Sequence, residues 1–136
     1  MKNNSNLKLD DSTYSSTSDS AKNVADIWKE YYENGQVKSE TPLVNGNAHG
    51  ISKSYYENGE PLAEIPYVYG ERHGIEKWYY ETGQLKFERP LVNNKEHGIA
   101  KKYYENGQIK EESRYVHGKL RGTNNYDENG NIIIKK

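Results

Sequence analysis

The sequence predicts an all-β protein, a tandem array of about five antiparallel β-hairpin repeats with a period of 24 residues, forming an elongated, twisted single-layer sheet. Three observations predict this fold. A five-residue motif recurs at a constant interval, each copy contains a turn-forming dipeptide, and hydrophobic residues make up only 32% of the chain. So little apolar material does not build a thick globular core, whereas stacked repeats bury residues mainly against their neighbours.

The recurring motif is Tyr-Tyr-Glu-Asn-Gly, with Thr in place of Asn in the third copy. Its copies begin 24 residues apart, at Tyr31, Tyr55, Tyr79 and Tyr103, and a degenerate fifth copy begins at Tyr126. A second marker, His-Gly, follows 18 residues after the first tyrosine in three repeats and becomes Arg121-Gly122 in the fourth. A constant period in the low twenties is typical of a stacked array.

The Asn-Gly dipeptide predicts the turn of each hairpin. A two-residue type I′ turn needs positive φ at both central residues, which Asn and Gly tolerate best. The structural glycines of these turns are Gly35, Gly59, Gly83 and Gly107. The glycine after His or Arg predicts a second turn that links one hairpin to the next. The stretch before Lys29 favours the first strand over a helical turn.

The hairpin model predicts which residues face each other, because facing residue numbers then have a constant sum around each turn. This register places a lysine opposite a glutamate in four repeats: Lys29–Glu40, Lys53–Glu64, Lys77–Glu88 and Lys101–Glu112. Such structural pairs contribute roughly 0.2–1 kcal/mol each and fix the register. On the opposite face the same register predicts the pairs Trp78–Phe87, Tyr80–Leu85, Tyr32–Val37 and Tyr104–Ile109.

Two segments are predicted. Residues 1–22 form a disordered polar tail, because Ser, Asn, Thr, Asp and Lys cannot bury enough apolar area to offset the entropy of ordering. Residues 23–136 form the repeat domain, in which the fifth copy acts as a cap and residues 132–134 form the last strand. Lys135 and Lys136 blunt that edge. Prolines break ladders, so irregularities are expected at Pro42, Pro61, Pro66 and Pro90.

Composition limits the partners, the chemistry and the location expected for this chain. A net charge of −1 argues against nucleic acid and against anionic lipid as partners. The chain has no Cys, which excludes thiol chemistry. No apolar run approaches the length of a signal peptide or a membrane span. The cytoplasm is the default location, with export by another route left open.

Several repeated side chains are candidates for chemistry. Tyr31, Tyr55, Tyr79 and Tyr103 form either a partner-binding surface or the packing between repeats. The histidines of successive repeats lie ~10 Å apart, too far for a shared metal, so each is expected to hydrogen-bond its own turn. The glutamates beside the turns lie along a rod that implies no concave pocket. We therefore predict no catalytic residue, no metal, no cofactor and no enzyme.

The unit Tyr-Tyr-Glu-Asn-Gly-Gln, followed by a Lys–Glu stretch, Asn-Gly and His-Gly, resembles the bacterial variant of the MORN repeat over roughly residues 27–134. The resemblance implies a hairpin array, a bacterial source and the antitoxin role commonly assigned to such proteins. Eukaryotic MORN repeats are linked to phospholipid binding, but this chain departs from their Tyr-x-Gly-x-Trp core.

Three functions stay open on these grounds. The first is a non-enzymatic module that binds and neutralises a protein partner such as a toxin or effector. The second is a surface-associated or secreted scaffold that binds a host factor, and the third is a phospholipid-binding membrane tether. The sequence also leaves a homodimer open.

Overall fold

The computed structural model describes residues 8–9 and 25–134. In this part of the chain every regular element is a strand, and all strands belong to one antiparallel sheet. The strands are β1 (Lys8–Leu9), β2 (Ala25–Tyr31), β3 (Val37–Val44), β4 (Asn47–Ala48), β5 (Gly50–Tyr55), β6 (Pro61–Val68), β7 (Glu71–Arg72), β8 (Gly74–Tyr79), β9 (Leu85–Val92), β10 (Lys95–Glu96), β11 (Gly98–Tyr103), β12 (Ile109–Val116), β13 (Lys119–Tyr126) and β14 (Ile132–Ile133).

Five hairpins follow one another along the sheet: β2–β3, β5–β6, β8–β9, β11–β12 and β13–β14. The predicted single-layer array of hairpins is therefore confirmed. The main register is confirmed as well, since Lys29 pairs with Glu40 and the equivalent lysines of the next three repeats pair with their glutamates. The predicted pair of Trp78 and Phe87 is also observed.

The loop at Asn34-Gly35 is not the predicted type I′ turn. Gly35 donates its N–H to the carbonyl oxygen of Tyr32 at 3.0 Å, and Tyr32 donates to the carbonyl of Gln36 at 2.8 Å. The loop therefore holds three residues, and of these only Gly35 has positive φ, at 91°. This is the arrangement in which glycine follows a tight turn as a bulge residue.

The longer loop shifts the pairs next to it by one residue. Tyr31, not Tyr32, pairs with Val37, and Lys38 is an extra bulged residue that restores the predicted register from Ser39 onwards. The same shift occurs in the third and fourth repeats, so the predicted pairs Tyr32–Val37, Tyr80–Leu85 and Tyr104–Ile109 are wrong. The predicted pairs farther from the loop remain correct because the loop and the bulge change the register by opposite amounts.

The type I′ signature lies at the other end of the hairpins. Two successive residues have positive φ at Asn45-Gly46, Tyr69-Gly70, Asn93-Asn94 and His117-Gly118. These turns, rather than the His-Gly dipeptides, reverse the chain between repeats. Gly50, Gly74 and Gly98 lie instead at the starts of β5, β8 and β11, also with positive φ.

Prolines explain why the strands entering three hairpins are split. β3 pairs with β5 near Glu40 and with β4 near Leu43, and the ladder is interrupted at Pro42, which has no N–H to donate. The same break occurs at Pro66 and Pro90. In the fourth repeat the equivalent residue is Arg114, and β13 continues as one strand of eight residues, with a register shift between Arg114 and Tyr115. The expected irregularities thus lie at these three prolines, while Pro61 opens β6.

The two faces of the sheet are unequal. Alternation along the strands puts Trp78, Phe87 and Arg89 on one side, named here the groove face, and the paired lysines and glutamates on the other, named the ladder face. All the described buried residues lie on the groove face: Ala63, Glu76, Leu91, Ala100 and Ser113. The core is therefore a thin layer on one side of the sheet.

The ends of the chain are described only in part. Lys8–Leu9, within the predicted polar tail, forms β1 beside Trp28 and Lys29 of β2. The rest of the predicted tail lies outside the described residues, as do Lys135 and Lys136. Ile132–Ile133 forms the last strand, one residue shorter than the predicted 132–134. Among the described residues, no helix has the length and apolar composition needed to cross a membrane.

Candidate functional site

A groove of about 550 Å³ lies on the groove face of the second, third and fourth repeats. This aromatic groove corrects the expectation that the array has no concave pocket. Its walls combine four aromatic side chains on this face with four cationic side chains, one carboxylate and one leucine: Tyr56, Trp78, Tyr80, Phe87, Lys86, Arg89, Lys102, Lys110, Glu76 and Leu62. Tyr79 and Tyr103, two of the tyrosines predicted as a partner-binding surface, also line the groove.

The groove exists because the third repeat departs from its neighbours. Trp78 takes the position of Ser54 in the second repeat, and Phe87 takes the position of Ala63. Across the strands Trp78 pairs with Ala63, which is 1% exposed, and Phe87 pairs with Lys102. The two large rings of Trp78 and Phe87 thus lie beside the small side chain of Ala63. This difference in side-chain size leaves a concave surface.

A buried carboxylate positions two of the groove's side chains. Glu76 is 3% exposed and accepts a hydrogen bond from Trp78 Nε1 at 2.6 Å and from Arg89 Nε at 3.2 Å. Arg89 also donates to Glu96 at 3.1 Å. Burial lowers the pKa of Arg89, but the hydrogen bond to Glu96 and the charge of Glu76 together raise it above the ordinary value. The indole and the guanidinium are therefore held in fixed orientations.

The three-residue loops give the groove its lysines. Lys86 and Lys110 are bulge residues like Lys38, and the bulge turns their side chains toward the groove face. The Nζ atom of Lys86 lies 5.5 Å from the ring centroid of Tyr80, and Lys110 lies 5.6 Å from that of Tyr104, both within cation–π range. The groove therefore presents aromatic faces next to positive charge.

The second tyrosine of each repeat connects one repeat to the next. Tyr56 Oη donates to the carbonyl oxygen of Tyr79 at 2.6 Å, and Tyr80 Oη donates to that of Tyr103 at 2.7 Å. Desolvation, followed by the charge of Glu105, raises the pKa of Tyr80 above its ordinary value. Two walls of the groove are thus held by hydrogen bonds between repeats, so the groove is formed before any ligand arrives.

The first tyrosines, predicted as a partner-binding surface, lie on the ladder face. Tyr55 donates its hydroxyl to Glu40 at 2.8 Å and Tyr103 donates to Glu88 at 2.7 Å, each reaching back to the preceding repeat. Burial, followed by these hydrogen bonds, raises the pKa of both phenols to about 12. Tyr79 makes the equivalent contact with Glu64 at 3.3 Å. Partner binding by these tyrosines and by Tyr31 stays a prediction.

The paired lysines and glutamates form one row across the sheet, named here the charge ladder. Lys53 pairs with Glu64 within its hairpin and with Glu40 of the preceding one, so charges alternate from strand to strand. Its members in spatial order are Lys29, Glu40, Lys53, Glu64, Lys77, Glu88, Lys101 and Glu112.

Two of the repeated histidines, His49 and His97, contact the next turn rather than their own. His49 Nδ1 accepts the backbone N–H of Tyr69 at 3.1 Å, and His97 Nδ1 accepts that of His117 at 3.0 Å. His49 and His97 therefore link their repeats to the type I′ turn of the following repeat, which corrects the predicted partner for these two histidines. Among the described residues, no three His, Asp or Glu side chains are grouped as metal ligands.

Sequence reasoning missed Trp78, Phe87, Glu76 and Arg89 as site residues, although the sequence carries a signal for them. Arg89 takes the position of Ile65, and Glu76 that of Ser52. The four positions differ in every copy of the repeat, so the repeat itself does not fix them, and in the third copy they carry the groove residues.

Comparison with known proteins agrees with this architecture. The model of the MORN repeat variant family matches four consecutive segments, residues 27–45, 48–69, 72–93 and 96–117, which together make up more than half of the chain. No curated protein and no solved structure matches the chain. The matched segments follow the hairpins described above, and the chain belongs to the MORN repeat variant family.

Proposed function

We propose that this protein is a non-enzymatic module that binds a protein partner through the aromatic groove. MORN repeats are generally binding modules for proteins or lipids. The observation that supports a protein partner is the pair Trp78 and Phe87 beside Arg89, because Trp, aromatic rings and Arg are the groups that dominate binding energy at protein interfaces.

The lining indicates the chemistry of the partner segment. Arg89 is already paired with Glu76 and Glu96, and Lys102 with Glu111, so Lys86 and Lys110 supply the positive charge that favours an acidic side chain. The half-buried aromatic rings favour an apolar or aromatic one. Because Glu76 and the inter-repeat hydrogen bonds hold the walls in place, little ordering is needed on binding. An extended acidic segment with an aromatic anchor fits these requirements.

In its specific form, the proposal is that the partner is a toxin or effector. This protein neutralises it in the cytoplasm by binding the partner's acidic segment in the aromatic groove. The support is the preformed groove together with the resemblance of the repeat unit to proteins assigned this role. Co-expression with each product of the neighbouring genes tests it. Rescue of growth by the native chain supports neutralisation. If no product of a neighbouring gene is bound and none shows rescue, the toxin or effector proposal is refuted.

Matched tryptophan variants test the groove itself. The chain has two tryptophans, and Trp28 lies in the first repeat outside the groove. Trp78→Ala is expected to weaken partner binding by about tenfold or more, whereas Trp28→Ala changes it less than about threefold. Circular dichroism checks that both variants fold. Equal effects of the two substitutions would exclude the groove as the binding site.

A fluorescence titration reports on the same contact directly. Trp28→Phe leaves Trp78 as the only tryptophan, and its emission is expected to shift when the segment covers the indole. Vesicles of anionic phospholipid serve as the second titrant. A shift with vesicles and none with protein partners would replace the protein-binding proposal by a lipid-binding one.

A further inference from the structure

The ladder face carries a charge pattern that the groove does not use. Within one chain its lysines and glutamates pair across strands, and Glu40, Glu64 and Glu88 also accept tyrosine hydroxyls. The charge ladder alternates strictly between positive and negative over eight strands, beginning with a lysine and ending with a glutamate. Its charges sum to zero, so it offers no net attraction to a uniformly acidic or basic partner. A complementary surface must itself alternate with the same spacing, two strands or ~10 Å per repeat.

Reversal of the ladder produces such a surface. When the row is read from its other end, every lysine meets a glutamate: Lys29 meets Glu112, Glu40 meets Lys101, Lys53 meets Glu88 and Glu64 meets Lys77. A two-fold axis parallel to the strands, passing between β6 and β8, performs this reversal for two sheets that face each other. Self-complementarity of this kind is what a two-fold interface requires.

An exposed apolar row beside the ladder obeys the same symmetry. Within the hairpins Ile51 pairs with Pro66 and Ile75 with Pro90. Ile51 is 49% exposed, Ile75 is 51% exposed and Ile99 is 42% exposed, although such residues are usually buried. The axis between β6 and β8 would bring Ile75 of one copy against Pro66 of the other, so apolar side chains meet where charges also match.

We propose that the ladder face binds a second copy of this chain, with the two arrays antiparallel and the two-fold axis between Glu64 and Lys77. Only another copy supplies the same alternation at the same ~10 Å repeat, so the contacts stay in phase along the array. Twisted sheets stack at about −30°, which makes the match closest at the axis. The contact is therefore centred on Glu64, Pro66, Ile75 and Lys77.

The expected dimer is weak. A contact limited to the central strands covers less than the roughly 800 Å² per partner of a standard stable interface. Dissociation constants of roughly 10–1,000 µM are typical of such small contacts. The groove faces point outward in this arrangement, so partner binding and dimerisation use opposite sides of the sheet.

Sedimentation equilibrium of the full chain up to about 1 mM tests the association. Dimer formation that Ile75→Asp weakens by about tenfold or more supports the proposal. Leu120→Asp is the matched control, because Leu120 is 56% exposed and lies outside the apolar row. Trp78→Ala is expected to leave the dimer unchanged, which separates this proposal from the groove. If Ile75→Asp unfolds the chain, Ile75→Ser replaces it.

Three sedimentation results would overturn the proposal. A single-chain mass at all concentrations excludes the dimer. A dimer that no substitution at Ile75 weakens lies at another interface. Equal weakening by the Leu120 control shows that added charge alone, rather than loss of the apolar contact, disrupts association.

Distances between spin labels test the orientation. The chain has no Cys, so Glu81→Cys or Glu105→Cys gives one label in the exposed loop of the third or fourth repeat. An axis between β6 and β8 separates equivalent labels along the array by ~10 Å at position 81 and ~29 Å at position 105. Nearly equal distances at the two positions would place the axis along the array and contradict the proposed arrangement.

Discussion

Gly74 and Gly122 hold the same position in different repeats but are expected to respond oppositely to alanine. Gly74 has a φ of +123°, and a Cβ built there would lie 2.9 Å from Cγ of Pro66. Gly122 has no positive φ and no heavy atom within 4 Å of a built Cβ, because Arg114 replaces the proline beside it. The two sites thus form an internal comparison of one substitution in two environments.

The magnitudes follow from these geometries. A non-glycine residue in the left-handed region costs about 1–3 kcal/mol. Overpacking against the rigid ring of Pro66 costs about 1–3 kcal/mol more. The lower entropy of the unfolded chain offsets about 0.4–1 kcal/mol. Gly74→Ala is therefore expected to lower the free energy of unfolding by roughly 1–5 kcal/mol, whereas Gly122→Ala raises it by about 0.4–1 kcal/mol.

Urea unfolding followed by circular dichroism measures both variants, with midpoints compared at equal slope. The double substitution of Pro66→Ala with Gly74→Ala separates the steric contribution from the backbone contribution. Removal of the ring is expected to recover about 1–2 kcal/mol and to leave the φ penalty in place. If Gly74→Ala and Gly122→Ala change stability by the same amount, the explanation by positive φ and proline contact is refuted.

The tyrosine contacts between repeats support three further predictions. Tyr80→Phe removes the hydrogen bond to the carbonyl of Tyr103 and is expected to destabilise the chain by about 1–3 kcal/mol in urea unfolding, since the carbonyl loses its partner; an unchanged midpoint would contradict this. Glu88→Gln is expected to move the pKa of Tyr103 down from about 12 toward its ordinary value, which ultraviolet titration near 295 nm measures against Glu96→Gln as control. Because folding raises the pKa of Tyr55 and Tyr103 to about 12 from an ordinary value near 10, the neutral phenols stabilise the fold fully below pH 10, and this stabilisation is lost as the pH rises through about 12. Stability that does not change over this interval would show that the hydroxyl contacts are not maintained in solution.

The sequence predicted the hairpins well because the preferences that form a hairpin act between residues close together along the chain. The 24-residue period defines the unit, and alternation along each strand sets the face of every side chain. The predicted pairing of Lys29 with Glu40 is nevertheless correct only because two deviations from the predicted hairpin cancel. Asn-Gly suits both a two-residue turn and a three-residue loop that ends in glycine, and the bulge at Lys38 compensates for the longer loop. Sequence alone does not distinguish these two solutions.

The candidate site could not be predicted from single repeats, because it is built from contacts between neighbouring repeats. Trp78 and Phe87 pair within one hairpin, as predicted, but their neighbours Ala63 and Lys102 come from the adjoining hairpins. The groove depends on those contacts between repeats and on bulges that turn Lys86 toward Tyr80. None of these is visible in the alternation of a single strand.

By itself, then, the amino-acid sequence determined the hairpin unit, its repetition and the cross-strand partners far from the loops. The tertiary structure decided which loop forms, where the strands break and which face is concave. The physical reason is that turn and alternation preferences act within about one hairpin, whereas a groove and a self-complementary face arise from side chains that only the packing of successive hairpins brings together.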